Sequence, residues 1–250
     1  MKLHKLTDRV YWTSANHRTD RPVLGYIRGN RHSLLVDCGA SPAHITAVLD
    51  AIAQSGLPAP TLAAVTHAHW DHVFGLCALG IPVIACRESQ SQLIRMEKWV
   101  WTEEAMLRRL ETHEDIAFCH EHMLKEYRKP ASIRVRRADI VFDEELSLDL
   151  GGCTVSLRVL PNSHADGCTI VLCPEESVLF TGDITYHDLH AEPPCRHMRR
   201  SNALLAALVD TGFSIAVPGH QRPMKRQAFF NDLRDALCED IANDLPLLDD

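Results

Sequence analysis

The sequence lacks any uninterrupted apolar stretch of the roughly 18 residues that a membrane-crossing helix needs, so no transmembrane span is expected. It also lacks the apolar core of a secretory signal. Its first residues, Met1-Lys2-Leu3-His4-Lys5-Leu6-Thr7-Asp8, are polar, and the expected address is the cytoplasm. There is no C-x-x-C pair. Nine scattered cysteines, an odd number without an export signal, read as reduced thiols buried as small hydrophobes. Positive charge is in the minority: 26 Lys and Arg against 33 Asp and Glu leave a net charge of −7. That balance, with no basic, aromatic-rich strip, argues against nucleic acid as a partner. Internal repeats and low-complexity tracts are missing too. What remains is 250 residues, 46% of them hydrophobic, which is enough to bury one core, and residues 1–250 are read as a single domain. Histidine, with 15 copies, is the compositional outlier.

Short runs at 10–13, 23–28 and 33–36 read as strands bounded by Asn, Pro, Gly and Asp. Residues 42–54 place Ile45, Val48, Leu49 and Ile52 at helical spacing. Ser41 suits the N-cap, Pro42 the first turn and Gly56 the stop. A buried strand at 62–66, a helix at 72–79 and a strand at 82–86 follow. Residues 88–129 change character. Leu93, Met96 and Val100 suggest one amphipathic helix. Met106, Leu107 and Leu110 suggest a second, capped by Thr102, and Met123, Leu124 and Tyr127 a third. Strands return at 133–136, 140–142, 154–160, 169–173 and 178–180. A helix from Met198, a strand at 214–217 and a helix over 224–243 close the chain. Two alternating halves with a helical block between them suit two sheets packed face to face, with helices outside.

Chemistry concentrates in His67-Ala68-His69-Trp70-Asp71-His72, just after the apolar run at 62–65. Neutral imidazole and carboxylate are ligands for borderline and hard divalent metals, and a strand ending in such a cluster aims several ligands into one small volume. Four further pieces follow the same theme: Leu35-Val36-Asp37-Cys38-Gly39, Asn162-Ser163-His164-Ala165-Asp166-Gly167, Phe180-Thr181-Gly182-Asp183 and Val217-Pro218-Gly219-His220. In type and order these pieces resemble the signature of the metallo-β-lactamase superfamily, starting with His-x-His-x-Asp-His. Around His164 the resemblance keeps only the histidine and the final glycine of the usual Gly-His-Thr-x-Gly.

The resemblance implies an αββα sandwich of two mixed β-sheets with outer helices, a metal site along one edge, and the 88–129 block as a helical insertion. It implies two divalent metal ions, zinc first, with iron or manganese also suited to the ligands. One ion would take His67, His69 and His164. The other would take Asp71, His72 and His220, and Asp183 would bridge them. Asp71 would also orient the attacking water, a shared hydroxide, and handle its proton. Aspartate at 183 points to the branch acting on lactones, thioesters and related esters. Tyr186, at the offset where acyl-homoserine lactonases place a tyrosine, would polarise the carbonyl. Asp37 would brace the ligand loop, unless it is a plain strand-end turn residue. A single-iron persulfide dioxygenase and a phosphodiesterase share the fold and remain alternatives.

The expected partner is a small molecule. Its anionic tail would be met by Arg196, Arg199 and Arg200 or by Arg222, Lys225 and Arg226, unless these are a solvated helix face. His187, Asp188 and His190 follow closely enough to reach a pocket, but read first as loop surface. The insertion, with Met96, Trp99, Trp101 and Met106, either overhangs the metals as a cap or buries these residues in its own core or a homodimer interface.

Overall fold

A computed structural model describes residues 1–249. The first half builds a seven-stranded sheet in chain order: β1 (Leu3–Lys5), β2 (Val10–Thr13), β3 (Gly25–Arg28), β4 (Ser33–Val36), β5 (Leu62–Ala64), β6 (Val83–Cys86) and β7 (Ile140–Phe142). β1 to β4 pair antiparallel, and β4 to β7 run parallel. The second half forms a six-stranded sheet from β8 (Glu145–Asp149), β9 (Thr154–Val159), β10 (Thr169–Cys173), β11 (Val178–Gly182), β13 (Ile215–Pro218) and β14 (Met224–Lys225). It is antiparallel except where β11 and β13 run together. A small parallel pair joins β12 (Arg196–His197) to β15 (Leu247–Leu248).

Among the described residues, seven α-helices complete the fold: α1 (Pro42–Gln54), α2 (Trp70–Val73), α3 (Arg87–Glu97), α4 (Glu103–Glu111), α5 (Ala117–Glu126), α6 (Met198–Asp210) and α7 (Arg226–Ala242). Between the sheets, Ile27, Val36, Ile84, Val155, Val171 and Val217 interdigitate. The outer face of the first sheet packs on α1 and the helical block through Ile45, Phe74, Met106 and Met123. α6 and α7 cover the second sheet through Leu204, Leu208 and Phe229. This is the expected α/β/β/α layering.

The α1 signals act as read. Ser41 Oγ accepts the His44 amide proton at 3.0 Å, Pro42 opens the helix, and Gly56 follows its end at φ +69°. Thr102 likewise caps α4 by accepting from the Ala105 amide. Other expectations need correcting. The helix read at 72–79 is the short α2 followed by a 3₁₀ turn; within that turn Gly75 lies against the Cys38 carbonyl, where a Cβ would fall 1.9 Å from the oxygen. The strand read at 133–136 is irregular chain. There the Arg136 side chain, rather than a backbone ladder, satisfies the Leu79 carbonyl at 2.7 Å. Val100, Leu107 and Leu124 are exposed. Arg109 takes the place expected of Leu107 on the buried face, its guanidinium 4.5 and 4.7 Å from the Trp99 and Trp101 rings. β8 is an additional strand, formed where Glu145-Leu146-Ser147-Leu148-Asp149 alternates with strand period.

The helical block shares the core of the first sheet: Trp101, Cys119 and Tyr127 belong to that cluster. Tyr127 donates to the Ala40 carbonyl at 3.1 Å, and Arg21 pairs with Glu126 at 2.7 Å. Among the described residues no cysteine forms a disulfide, and Cys77 and Cys238 are the exposed ones. Among the described residues no helix is long and apolar enough to cross a membrane.

Candidate metal centre

The motif residues meet because each follows the C-terminal end of a strand. His67, His69, Asp71 and His72 follow β5, His164 follows β9, Asp183 follows β11, and His220 follows β13. Two backbone bonds pin the sheets together there: Thr169 N–H to the Thr66 carbonyl at 2.7 Å, and Val23 N–H to the Gly219 carbonyl at 2.6 Å. Ligand atoms then gather in two groups, His67 with His69 and His164, and Asp71 with His72, Asp183 and His220. Within each group all lie within 4.8 Å of one another. Asp183 Oδ2 stands between the groups, 3.2 Å from His220 Nε2, 3.5 Å from His72 Nε2 and 3.8 Å from His164 Nε2. Gly219 makes this position available. A Cβ there would fall 1.9 Å from Asp183 Oδ1.

The imidazoles are oriented from behind. Asp37, at φ +62° just past β4, accepts from the Thr66 amide at 2.7 Å, the Thr66 hydroxyl at 2.8 Å and His72 Nδ1 at 2.8 Å. Because the Thr66 hydroxyl spends its proton on Asp37, it can only accept from His67 Nδ1, 3.2 Å away. His164 Nδ1 faces the His187 carbonyl at 3.3 Å and must donate to it. In all three rings the outward nitrogen carries the proton and Nε2 points inward. Asp37 is therefore a brace for the ligand loop and more than a strand-end turn residue.

Those inward atoms have nothing to bond. Nε2 of His67, His72 and His164, Oδ2 of Asp71 and Oδ1 of Asp183 are buried without a hydrogen-bond partner. Buried polar atoms are rarely left unpaired, and several converging lone pairs call for a cation. Burial pushes His67, His69 and His164 below the ordinary histidine range, which keeps them neutral. Burial also opposes charge on His72 and His220. It is outweighed on His72 by Asp71, Asp37 and Asp183, and on His220 by Asp183 and Asp71, so both are pushed well up. Asp71 and Asp183, which burial alone would raise, are held well below the usual carboxylate range, Asp71 chiefly by His72 and Asp183 chiefly by His220. Protons and a metal ion thus compete for the same atoms. The donor set of imidazole and carboxylate, without thiolate, fits a divalent ion.

Two cavities flank this cluster, of about 480 and 340 Å³. His69, His164, Cys119 and His190 line both. The larger is walled by Met96, Trp99 and Trp101 of the helical block, with Trp70 and Phe74. The smaller holds Asp71, Asp183, His220 and Tyr186. The Tyr186 ring lies 5.8 Å from that of His164 and 6.5 Å from that of His220. Burial, then Asp183, push its hydroxyl up, so it stays a proton donor.

The structure also brings in residues that sequence reasoning left aside. His190, read first as loop surface, packs its ring 4.9 Å from the His69 ring at an interplanar angle of 37°. Asp20 sits 3.6 Å from His220 Nδ1, its carboxyl raised to about 7 by burial and by Asp71. Neither carries a motif; only the fold reveals them. The basic groups do not gather as expected. Arg196 is buried against Asp240, and Arg226 lies over Phe213 and Phe230. Arg199, Arg222 and Lys225 line neither cavity. Arg200 lines the larger one, 3.3 Å from Asp166.

Comparison with known proteins agrees with this geometry. No curated protein matches the sequence. The fold is similar to a stereoselective inverting sec-alkylsulfatase from Pseudomonas sp., with TM-score 0.70 and 16% identity over 94% of this chain and 41% of that one. This chain therefore spans well under half the length of that enzyme. It is similar to a metallo-β-lactamase family protein from Thermus thermophilus, with TM-score 0.66 and 19% identity over 95% and 82% of the two chains. A subclass B3 metallo-β-lactamase of Bradyrhizobium japonicum gives TM-score 0.59 and 18% identity over 88% and 78%. At such identities the likeness is one of fold. The sequence model of the metallo-β-lactamase superfamily matches residues 22–220, most of the chain, and this protein belongs to that superfamily.

Proposed function

We propose that this protein is a metal-dependent hydrolase that cleaves an ester-like bond, in a lactone, thioester or related acyl compound. His67, His69 and His164 would hold one divalent ion and Asp71, His72 and His220 a second, with Asp183 shared. Zinc suits this set best among the ions its nitrogen and oxygen donors admit, iron and manganese included. The observation that carries the reading is the convergence of buried, unbonded Nε2 and carboxylate atoms on one point. A second donor group beside the first favours a hydrolase over a single-iron oxygenase.

When bound, the metals supply an activated water at neutral pH and polarise the substrate carbonyl. The chain supplies the rest. Asp71 Oδ2, buried and 3.1 Å from His220 Nε2, is placed to orient the water and receive its proton. The Tyr186 hydroxyl, on the wall of the smaller cavity, is a donor for the developing oxyanion. The helical block serves as the cap, since its Met96, Trp99 and Trp101 wall the larger cavity beside His69 and His164. That wall favours an apolar or aromatic acyl arm. An anionic tail would meet Arg95 and Arg200 there, but Glu114 and Asp115 stand on the same wall.

The test is a panel of aryl esters, lactones, thioesters and phosphodiesters, assayed with metal-loaded and chelator-stripped protein. Hydrolysis of an acyl substrate by the loaded form alone supports the proposal. Turnover confined to phosphodiesters, or oxygen consumption with a persulfide and one iron per chain, would replace it.

A further inference from the structure

The region after residue 220 lies beyond the part of the chain that matches the superfamily, yet it reaches the metal centre. Asp240 on α7 is buried, and both of its oxygens are used. Oδ2 accepts from Arg196 Nε, and Oδ1 lies 3.1 Å from His187 Nδ1, which must donate to it. Arg196 is itself buried, and its Nη1 donates to the Thr185 carbonyl at 3.2 Å. Its amide donates to the Pro246 carbonyl at 2.9 Å, which anchors β12 to β15. The pair therefore grips the segment 183–187 at Thr185 and at His187. That segment carries Asp183, Tyr186 and the carbonyl that accepts from His164 Nδ1 at 3.3 Å.

We infer that Asp240 is a positioning residue for the metal centre, acting on His164 through the His187 side chain and carbonyl; this rests on the metal reading above. A histidine ligand needs its outer nitrogen held by an acceptor, and loss of such an acceptor typically weakens metal binding about 10- to 100-fold. Here the acceptor is a main-chain carbonyl on a loop, and a carbonyl is only as well placed as its loop. Asp240 fixes it with two charge-assisted contacts in a buried setting, where such bonds are strong. On the opposite side of the centre, Asp37 grips His72 directly. The C-terminal helix does the equivalent task for His164 at one remove.

The experiment is a chelator-competition titration with Co²⁺, followed by visible absorbance, on wild type, Asp240→Ala and His187→Ala. Wild type is expected to bind two ions. Asp240→Ala should weaken one of the two steps about 10- to 100-fold and shift its absorption, leaving the other within about threefold. His187→Ala, which leaves the Arg196–Asp240 pair in place, should weaken the same step about tenfold and decides the matter if Asp240→Ala does not fold. Two unchanged steps, or equal weakening of both, would overturn the inference while leaving the metal reading intact. Wild type that binds no cobalt would instead remove the metal reading itself.

Discussion

His72 and His164 face each other across one centre and are held by opposite strategies. His72 is gripped by Asp37, a carboxylate at the end of the neighbouring strand, which also takes both donors of Thr66. His164 leans on a main-chain carbonyl whose loop is fastened by Arg196 and Asp240 from the far end of the chain. The first brace is short, direct and built into parallel strands. The second is indirect and depends on α7. The first-sheet side should therefore be the rigid half of the site, and the second-sheet side the half that tolerates adjustment. Loops at the ends of rigid strands are where such adjustable chemistry usually sits.

The largest effect that would test this contrast comes from the residue common to both halves. Asp183→Ala removes the carboxylate that stands between the two groups. It is expected to abolish turnover and to release metal, read by steady-state assay and elemental analysis; His69→Ala should do the same. Retained metal in Asp183→Ala would show that the halves are independent.

Next is the rigid brace. Asp37→Ala leaves the Thr66 amide and His72 Nδ1 buried without acceptors. It should cost roughly 3 kcal/mol in urea-unfolding stability, the scale of two stranded buried donors. By contrast, His187→Ala strands one Asp240 oxygen while Arg196 still pairs with the other, and should cost about 1 kcal/mol. Equal losses in the two variants would erase the distinction.

A pH measurement sharpens the same point. His44 packs behind the Asp37 loop, fully buried, its Nδ1 accepting from the Ala40 amide and its Nε2 unpaired. Burial, then Arg21, lower its pKa to about 3. A depressed histidine is neutral in the fold. Its contribution is complete above the unfolded value near 6.5 and is lost as pH falls toward 3. Between pH 6 and 4 the loss approaches about 1.4 kcal/mol per pH unit. His44→Gln should flatten that limb of the stability curve. An unchanged slope would show that His44 does not couple to acid unfolding.

The smallest expected effect is on Tyr186, in the adjustable half. Tyr186→Phe should lower kcat roughly five- to tenfold, about 1 to 1.4 kcal/mol of transition-state stabilisation, with metal content unchanged. Identical kinetics would remove the tyrosine from the mechanism.

The gathering of seven candidate ligand side chains was legible in the sequence because each belongs to a strand-end motif whose residue types and order resemble the superfamily signature. The α1 boundaries were legible for a similar local reason, Ser41, Pro42 and Gly56 each having one physical job. Asp240 and His190 were not, since nothing near them in sequence distinguishes them from residues on a solvated helix and a loop. Their roles come from packing between segments far apart in the chain. The place of Val100 and Leu107 on the surface was equally hidden. It depends on Arg109 stacking against two tryptophans, a tertiary choice that overrides helical periodicity. β8 is the reverse case: Glu145-Leu146-Ser147-Leu148-Asp149 alternates with strand period, a signal present in the sequence itself.

The central claim is that two groups of buried lone pairs exist to hold cations. Its most direct test is elemental analysis of the purified protein, before and after reconstitution with zinc, manganese or iron at neutral pH. The account predicts two ions per chain, falling to at most one in His69→Ala. A reconstituted wild-type protein that holds no metal would contradict it.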